Sequence, residues 1–552
     1  MRNRGDKVKA LATHTTALAL AARSPGAIRS GLVKDGLGNI GRRSMSQAVS
    51  FIERHHLRND DERRLAADVL ARVEGDGLQF VRLAWADPHG YSRAKMVTAK
   101  AFKSALVDGY NINVATSTLD SAGARTFASF TRGGGMGLDE MTGSPNLVIV
   151  PDPATFRVLP WAPGVGWILC DEYFVSGVPF HFSPRQLLKK QLKRLAERGQ
   201  RLQVGLEVEW YLLRAAQDQL GPENVGLPGV RGLPIQTVPV EPGYHYHSES
   251  NMDLMQPVLS ALGEAFEKIN LPLRSVENEW GPGQVECTFA PADALTAADN
   301  MLLFRTATRQ ICRRLGHFAT FMTRPALPGT CSSGWHLHQS LVDAASGSNL
   351  FMPDARGGLP QVAPGKVAGE VLSPLGQHFL GGLLRHAQAS TVFATPTVNG
   401  YRRFRPNSLA PDRTTWAHDH RGVMVRVLGA PGDPATRLEN RIGEPMANPY
   451  LFIASQIVTG LAGVDGRLDP GPQSLEPYAA DRPALPKTLP AALEALAAEP
   501  LFRRDLGSVF IDYYLALKRV EAGRFAAFLA ERGLESGDEP TQWEQNEYFD
   551  FF

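Results

Sequence analysis

Cysteine is scarce in this chain. Its four thiols, Cys170, Cys287, Cys312 and Cys331, lie far apart in 552 residues and form no CxxC pair. That pattern argues against a disulfide framework and a thiolate zinc site, and it fits a reducing compartment. Charge of one sign is also lacking. The formal net charge is +2, whereas a dedicated nucleic-acid binder needs a strong basic excess. No apolar run reaches the roughly 20 residues of a membrane-spanning helix. No GxxxxGK[ST] string is present, so a P-loop is excluded, and no repeat recurs at the solenoid periods. What remains is ordinary globular composition, 43% hydrophobic and 21% charged, in a chain long enough for two or more domains. The expectation is a soluble, cytoplasmic protein with neither a nucleic-acid nor a membrane partner.

Residues 1–44 differ from the rest, with nine Lys/Arg (Arg2, Arg4, Lys7, Lys9, Arg23, Arg29, Lys34, Arg42, Arg43) against Asp6 and Asp35. They read as a basic, disordered extension, or as a start placed upstream of a true Met45. An organellar transit peptide is the competing reading. From 45 to 75 the pattern is helical, with Asn59 as a cap. LQFVRLAWAD (78–87), DPHG and RAKMVTAK (93–100) read as a hairpin. A short helix (AFKSALVDG), a strand over 110–115, and strands over 146–150 and 166–170 complete a small α+β unit. SPRQLLKKQLKRLAERG (183–199) is an amphipathic helix with a glycine stop. Helices are also expected over 252–269 and 293–316, and they dominate toward the C-terminus.

Two stretches organise the chain's chemistry. In RLQVGLEVEWYLL (201–213), Val204, Leu206, Val208 and Trp210 alternate with Gly205, Glu207 and Glu209. In the segment from Val276 to Asp343, Glu279 and Glu286 flank a Gly-Pro-Gly turn, and His336 and His338 stand two apart. Period-two geometry sends Gln284, Glu286 and Thr288 to one face and Val285, Cys287 and Phe289 to the other. By the same rule His336, His338 and Ser340 point one way, Leu337 and Leu341 the other. Later, Arg437, Glu439 and Arg441 share a face. Each strand thus pairs an apolar side with a ligand-bearing side. For an isolated ExE, solvated charge on a half-exposed sheet remains the simpler reading.

Taken together, Glu207, Glu209, Glu279, Glu286, His336 and Glu439 make a carboxylate-rich candidate set with one imidazole. Like charges ~4 Å apart at an effective dielectric of ~20 repel by roughly 4 kcal/mol per pair. Such a cluster needs divalent cations or raised pKa values. Hard oxygen donors suit Mg²⁺ or Mn²⁺ rather than zinc. With Arg403, Arg421, Arg426, Arg437 and Arg441 offering planar forks for anionic oxygens, the composition suggests phosphoryl transfer from a nucleotide.

The strings GLEVEW, ENEWGPGQVE, SGWHLHQSL, YRRFRPNSLAP, HRGVMVRVLG, TRLENR and ANPYL stand in one order between Pro184 and the C-terminus. In content and order they resemble the glutamine synthetase family. The resemblance implies an α+β fold. A β-grasp-like N-terminal domain (45–180) would precede a catalytic domain (181–552) whose antiparallel sheet forms a funnel flanked by helices. It implies that Glu209, Glu279 and Glu286 hold one metal and Glu207, His336 and Glu439 a second. It assigns Arg403, Arg441 and Gly334 to glutamate, and His338, Ser340, Arg421, Arg426 and Arg437 to ATP. Arg421, Arg441 and Glu439 take catalytic roles. The implied reaction is ATP-dependent: glutamate's γ-carboxylate becomes an acyl phosphate, and an amine displaces phosphate. The family also implies a homo-oligomer, a double-ring dodecamer with active sites shared between subunits.

Three departures fall on the amine side. Leu409 stands in PNSLAP where ammonia-using members carry a glutamate. The Asp-Gly-Ser-Ser of the N-terminal domain is absent, and NINVATSTLD (111–120) occupies that stretch. Cys331-Ser332 replaces Asn-Gly before Ser-Gly-x-His. Fewer acids and more apolar surface point to an alkyl or aromatic amine such as aniline, with Leu409 in the amine pocket. Aniline, having a low pKa, arrives neutral and needs little help losing a proton. The alternatives are ordinary glutamine synthesis from ammonia and a non-catalytic structural relative; the latter would be expected to have lost ligands that this chain retains.

Overall fold

The computed structural model describes residues 49–353 and 371–552. The expectation of disorder over 1–44, and the proposed start at Met45, lie outside the described residues. Val49–Phe552 forms one compact unit.

The first helical stretch divides in two, a single turn at Phe51–Arg54 and a longer helix at Asp60–Gly75. Asn59 caps the second through a reciprocal box with Glu62. Asn59 Oδ1 accepts from Glu62 N at 2.9 Å, and Glu62 Oε2 accepts from Asn59 N at 2.8 Å. The hairpin follows as β1 (Phe80–Ala86) and β2 (Ser92–Thr98). Its second arm stops two residues before the expected end, because Thr98 caps the helix Ala99–Asp108. Next come β3 (Tyr110–Asn113), β4 (Asn146–Pro151), β5 (Arg157–Val158) and β6 (Val165–Tyr173). The strand expected over 110–115 ends at Asn113, whose side chain accepts from Ala115 N and opens a 3₁₀ turn. These strands form one sheet in the order β2-β1-β6-β4-β3, with β5 on β6. Within it β1 pairs parallel to β6.

The second sheet carries the chemistry. It comprises β7 (Gln200–Ala215), β8 (Thr237–Pro239), β9 (Leu273–Asn278), β10 (Gln284–Phe289), β11 (Ala292–Asp293), β12 (His317–Thr320), β13 (Trp335–Asp343), β14 (Trp416–His418), β15 (Val425–Leu428) and β16 (Arg437–Gly443). Its main path runs β14-β15-β16-β13-β7-β10-β9, while β8, β11 and β12 pair with β7. Pairing is antiparallel, as a funnel of this kind requires, except that β14 lies parallel to β15. Leu206, Val208, Trp210, Val285, Cys287, Leu337, Leu341 and Leu438 form its buried side. Against that side pack Pro184–Ala196, Ala294–Arg314 and Pro449–Gly466.

The β1–β2 turn is fastened to this part of the molecule. Asn448 Nδ2 donates to Asp87 O and Pro88 O, both at 3.2 Å. Arg305 reaches Gly90 O at 2.7 Å. Gly90 has φ +75°, and a Cβ there would sit 2.7 Å from Asn448 Cα, so only glycine fits. Among the described residues no helix is long and apolar enough to cross a membrane.

Candidate active site

Register turns the alternating strands into rows of side chains. Glu277, Glu286 and Glu209 stand abreast on β9, β10 and β7, with Gly334 continuing the row through a Glu209 N to Gly334 O bond of 3.0 Å. The next row runs Ser275, Thr288, Glu207, His336. A third carries Gly205, His338, Glu439 and Arg426. Directly opposed residues share a face, so acids from β7, β9, β10 and β16 meet imidazoles from β13 and guanidinium groups from β15 and β16.

The ligand atoms gather in three trios, each within 4.8 Å of one another: Glu207, His336, Glu439; Glu209, Glu286, His336; and His247, Glu277, Glu279. His336 is common to the first two. Glu279 groups with His247 and Glu277, two residues outside the sequence-based set. Only the pairing of its loop with β9 brings His247 there. Its Nε2 lies 3.0 Å from Glu277 Oε2. The donor set of carboxylates with sparse imidazole fits a hard divalent cation.

Electrostatically the site has two halves. Glu207 is bound by His336 Nδ1 at 2.6 Å and by His338 Nε2 at 2.8 Å. Arg437 Nε donates to His338 Nδ1 at 3.1 Å, so Nε2 of that ring carries the proton that Glu207 accepts. Burial opposes ionisation of Glu207, but the two imidazoles hold its carboxyl below the usual range. Glu439 is fully buried and paired with Arg441, with Arg426 Nη1 at 3.2 Å. Here too burial opposes charge, and Arg441 with His336 wins, keeping the carboxyl low.

The other half lacks compensation. Burial, reinforced by Glu207, Glu209 and Glu279, pushes Glu286 up to about 10. Burial and Glu209 push Glu279 up to about 8, and burial raises Glu209 against the pull of His336 and Arg403. Each carboxyl here requires either a proton or a cation.

Gly334 keeps the centre open. A Cβ on it would lie 2.7 Å from Arg403 Nη2, 3.1 Å from His336 Nε2 and 3.3 Å from Glu209 Oε1. Arg403 is buried and donates to Gly443 O at 2.7 Å and Ile442 O at 3.1 Å. Burial pushes it down to about 10, opposed by Glu209. Arg441 Nη2 reaches Leu409 O at 3.4 Å, bringing the flap residue beside the acid site. Leu409 is exposed and has φ +60°. Ser340 is buried opposite Gln203, and Arg421 is exposed without an ion pair among the described residues. Sequence reasoning missed Glu277 and His247. Glu277 stands two residues before Glu279 in ENEWGPGQVE, which was the available signal.

An acid-lined antiparallel sheet with converging arginines suits a divalent cation and anionic oxygens. The family model for the glutamine synthetase catalytic domain matches residues 181–536, and the chain belongs to the glutamine synthetase family. Within it the protein is an ATP-dependent carbon–nitrogen ligase. It is 45% identical over 510 residues to gamma-glutamylanilide synthase of Acinetobacter sp, covering 92% of this chain and 99% of that one. It is 29% identical over 497 residues to glutamate–isopropylamine ligase of Pseudomonas sp, covering 87% and 96%. The solved structure of apo GmaS without ligand aligns with a TM-score of 0.67 at 27% identity, over 86% of this chain and 98% of that one.

Proposed function

We propose that the protein joins the γ-carboxyl of glutamate to an alkyl or aromatic amine, converting ATP to ADP and phosphate. The observation that carries the choice of amine is Leu409. A leucine projects from the flap held by Arg441, where a carboxylate would attract ammonium and take its proton. The similarity to ligases named for aniline and isopropylamine supports the same reading.

The reaction has two balanced steps. A γ-carboxylate oxygen bonds to the γ-phosphorus of ATP while the bond to ADP breaks. The amine nitrogen then bonds to the acyl carbon, inorganic phosphate leaves with the bridging oxygen, and the nitrogen loses one proton. Arg403 and Arg441 hold glutamate's carboxylates, with Gly334 leaving room for its backbone. Arg421, Arg426 and Arg437, with His338 and Ser340, face the nucleotide and neutralise charge as it moves among phosphate oxygens. Glu207, Glu209, Glu279, Glu286, His336 and Glu439 would hold Mg²⁺ or Mn²⁺, which shields phosphate oxygens when bound. Water must be kept out, because the acyl phosphate hydrolyses otherwise. The two-sheet arrangement supports reading 45–180 as the β-grasp-like domain and 181–552 as the catalytic one. We place the enzyme in the cytoplasm as a double-ring dodecamer with shared sites.

The test is phosphate release from ATP with Mg²⁺ and glutamate across ammonia, methylamine, isopropylamine and aniline. Turnover with aniline or an alkylamine should exceed that with ammonia at least tenfold, a factor worth about 1.4 kcal/mol in transition-state binding. Best turnover with ammonia would return the chain to glutamine synthesis.

A further inference from the structure

Glu444 directly follows β16 and belongs to neither the metal nor the phosphate set. It is wholly buried, and so are the two threonines around it, Thr323 and Thr397. Its Oε2 accepts from Thr323 Oγ1 at 2.5 Å and from Thr397 Oγ1 at 2.9 Å, and its Oε1 accepts from Thr397 N at 2.9 Å. Three donors from two distant segments thus meet one desolvated carboxyl. Burial still pushes it up to about 7, with Thr323 and Thr397 holding it back.

Thr397 leads to Arg403. Its Oγ1, while donating to Glu444, accepts from Gly400 N at 3.0 Å and so fastens the 3₁₀ turn Asn399–Arg403. A Cβ on Gly400 would sit 2.5 Å from Glu444 Oε2, which places that turn directly against the carboxyl. Arg403 ends the turn, and its Nη1 donates to Gly443 O, one residue before Glu444. The guanidinium is therefore held at its backbone by the Glu444 side chain and at its tip by the neighbouring carbonyl.

Thr323 leads to Gly334. Its carbonyl accepts from Ser333 N at 2.7 Å, and Ser333 precedes Gly334. The two segments are also locked to each other: Arg324 N donates to Asn399 Oδ1 at 2.8 Å, and Asn399 Nδ2 donates back to Arg324 O at 3.1 Å. An apolar side chain would fill the Glu444 site with a smaller desolvation cost. A carboxyl with three donors fixes direction as well as proximity.

We propose that Glu444 is the positioning residue of the glutamate site, setting through Thr397 and Thr323 where the Arg403 guanidinium stands relative to Gly334. The role rests on the ligase reading above, in which Arg403 and Gly334 hold glutamate. Glu444 acts through Arg403 and not on the substrate itself. Clearance between the two residues is small, since a Cβ on Gly334 would lie 2.7 Å from Arg403 Nη2. A guanidinium displaced by about 1 Å from such a site can lose up to a hundredfold in rate.

Steady-state phosphate release by the full-length protein, with glutamate and ATP varied in turn, tests this in Glu444→Ala, Glu444→Gln, Thr397→Val and Thr397→Ser. KM for glutamate should rise about tenfold in Glu444→Ala and in Thr397→Val, while KM for ATP stays within about twofold of the wild type. Glu444→Gln keeps an acceptor for Thr397 N and Thr397→Ser keeps the hydroxyl, so both should recover most of the loss. Loss of folded protein alone lowers apparent kcat and leaves both KM values in place. Thr397→Val, close to isosteric, carries the test if Glu444→Ala does not fold. Arg403→Lys should raise KM for glutamate as well. A rise there, with the Glu444 and Thr397 variants at the wild-type value, overturns the positioning role alone. An equal rise in KM for ATP in those variants does the same. An unchanged KM for glutamate in Arg403→Lys overturns the glutamate assignment and the role with it. No turnover with any amine overturns the ligase reading and the role together.

Discussion

His336 and Glu207 face each other across β13 and β7, with Nδ1 and Oε1 2.6 Å apart. The contact turns the other ring nitrogen, Nε2, toward the space kept open by Gly334 beside Glu209. One imidazole thereby serves both acid groups, and its orientation is set by the carboxylate it binds.

Divalent cation should separate Glu286→Gln from the wild type. With the carboxyl pushed up to about 10 by burial and its acidic neighbours, Glu286 is protonated at pH 7 without a cation, and glutamine mimics that form. Metal-free stability should therefore match the wild type within about 1 kcal/mol. Saturating Mg²⁺ stabilises the native protein by about 2.7 kcal/mol at a hundred times its Kd, and the variant should gain much less. Thermal melts with and without Mg²⁺ decide the matter; equal shifts would remove Glu286 from the metal set.

Leu409→Glu should restore an acid on the flap. The ratio of kcat/KM for ammonia to that for aniline is expected to rise about tenfold, corresponding to about 1.4 kcal/mol. Amine competition with quantified amide products measures the ratio directly. No change would place the flap residue outside the amine pocket.

Glu172 offers a pH test remote from the metal ligands. Burial pushes its carboxyl up to about 8, with Ser183 partly countering. The folded state then holds this proton more tightly than the unfolded chain, whose carboxyl titrates near pH 4.3. Stability from the group is fully present below that value and declines as pH rises toward 8. Glu172→Gln, unable to ionise, should melt near the wild-type temperature at pH 4 and progressively above it from pH 5 to 9. A constant difference across that range would show that Glu172 ionises normally.

Arg305 acts as a staple without a carboxylate partner among the described residues. It donates to Pro445 O and Ala447 O at 3.0 Å and to Gly90 O at 2.7 Å, and burial pushes it down to about 10. Arg305→Met leaves three carbonyls without their donor, which should cost about 3 kcal/mol. The urea midpoint should fall accordingly, and limited proteolysis should cut first near the β1–β2 turn. A midpoint within about 0.5 kcal/mol of wild type would mean that water replaces the guanidinium.

Local signals were legible wherever they were self-contained. Asn59 announced a helix start, and alternation in Gln200–Ala215 announced which face of β7 would be buried and which would carry Glu207 and Glu209. The strand expected over 166–170 was found but extends to Val165–Tyr173, since its ends are decided by pairing with β1 and β4. Two parallel pairings, β1 with β6 and β14 with β15, left no mark in the sequence. Partner choice depends on where the chain returns, not on the strand itself.

By itself the sequence determined which side chains share a face, because strand periodicity is a property of the backbone. With the donor chemistry and the ordered family motifs, it nominated Glu207, Glu209, Glu286, His336, Glu439 and the arginines beside them. Only the tertiary structure decided who stands opposite whom. It put Glu277, Glu286 and Glu209 in one row, made His336 common to two trios, and joined His247 to Glu279. It also split the site into a half neutralised by imidazole and guanidinium and a half that calls for a cation. Register between distant strands sets those distances, and charge interactions depend on distance and burial rather than on order along the chain.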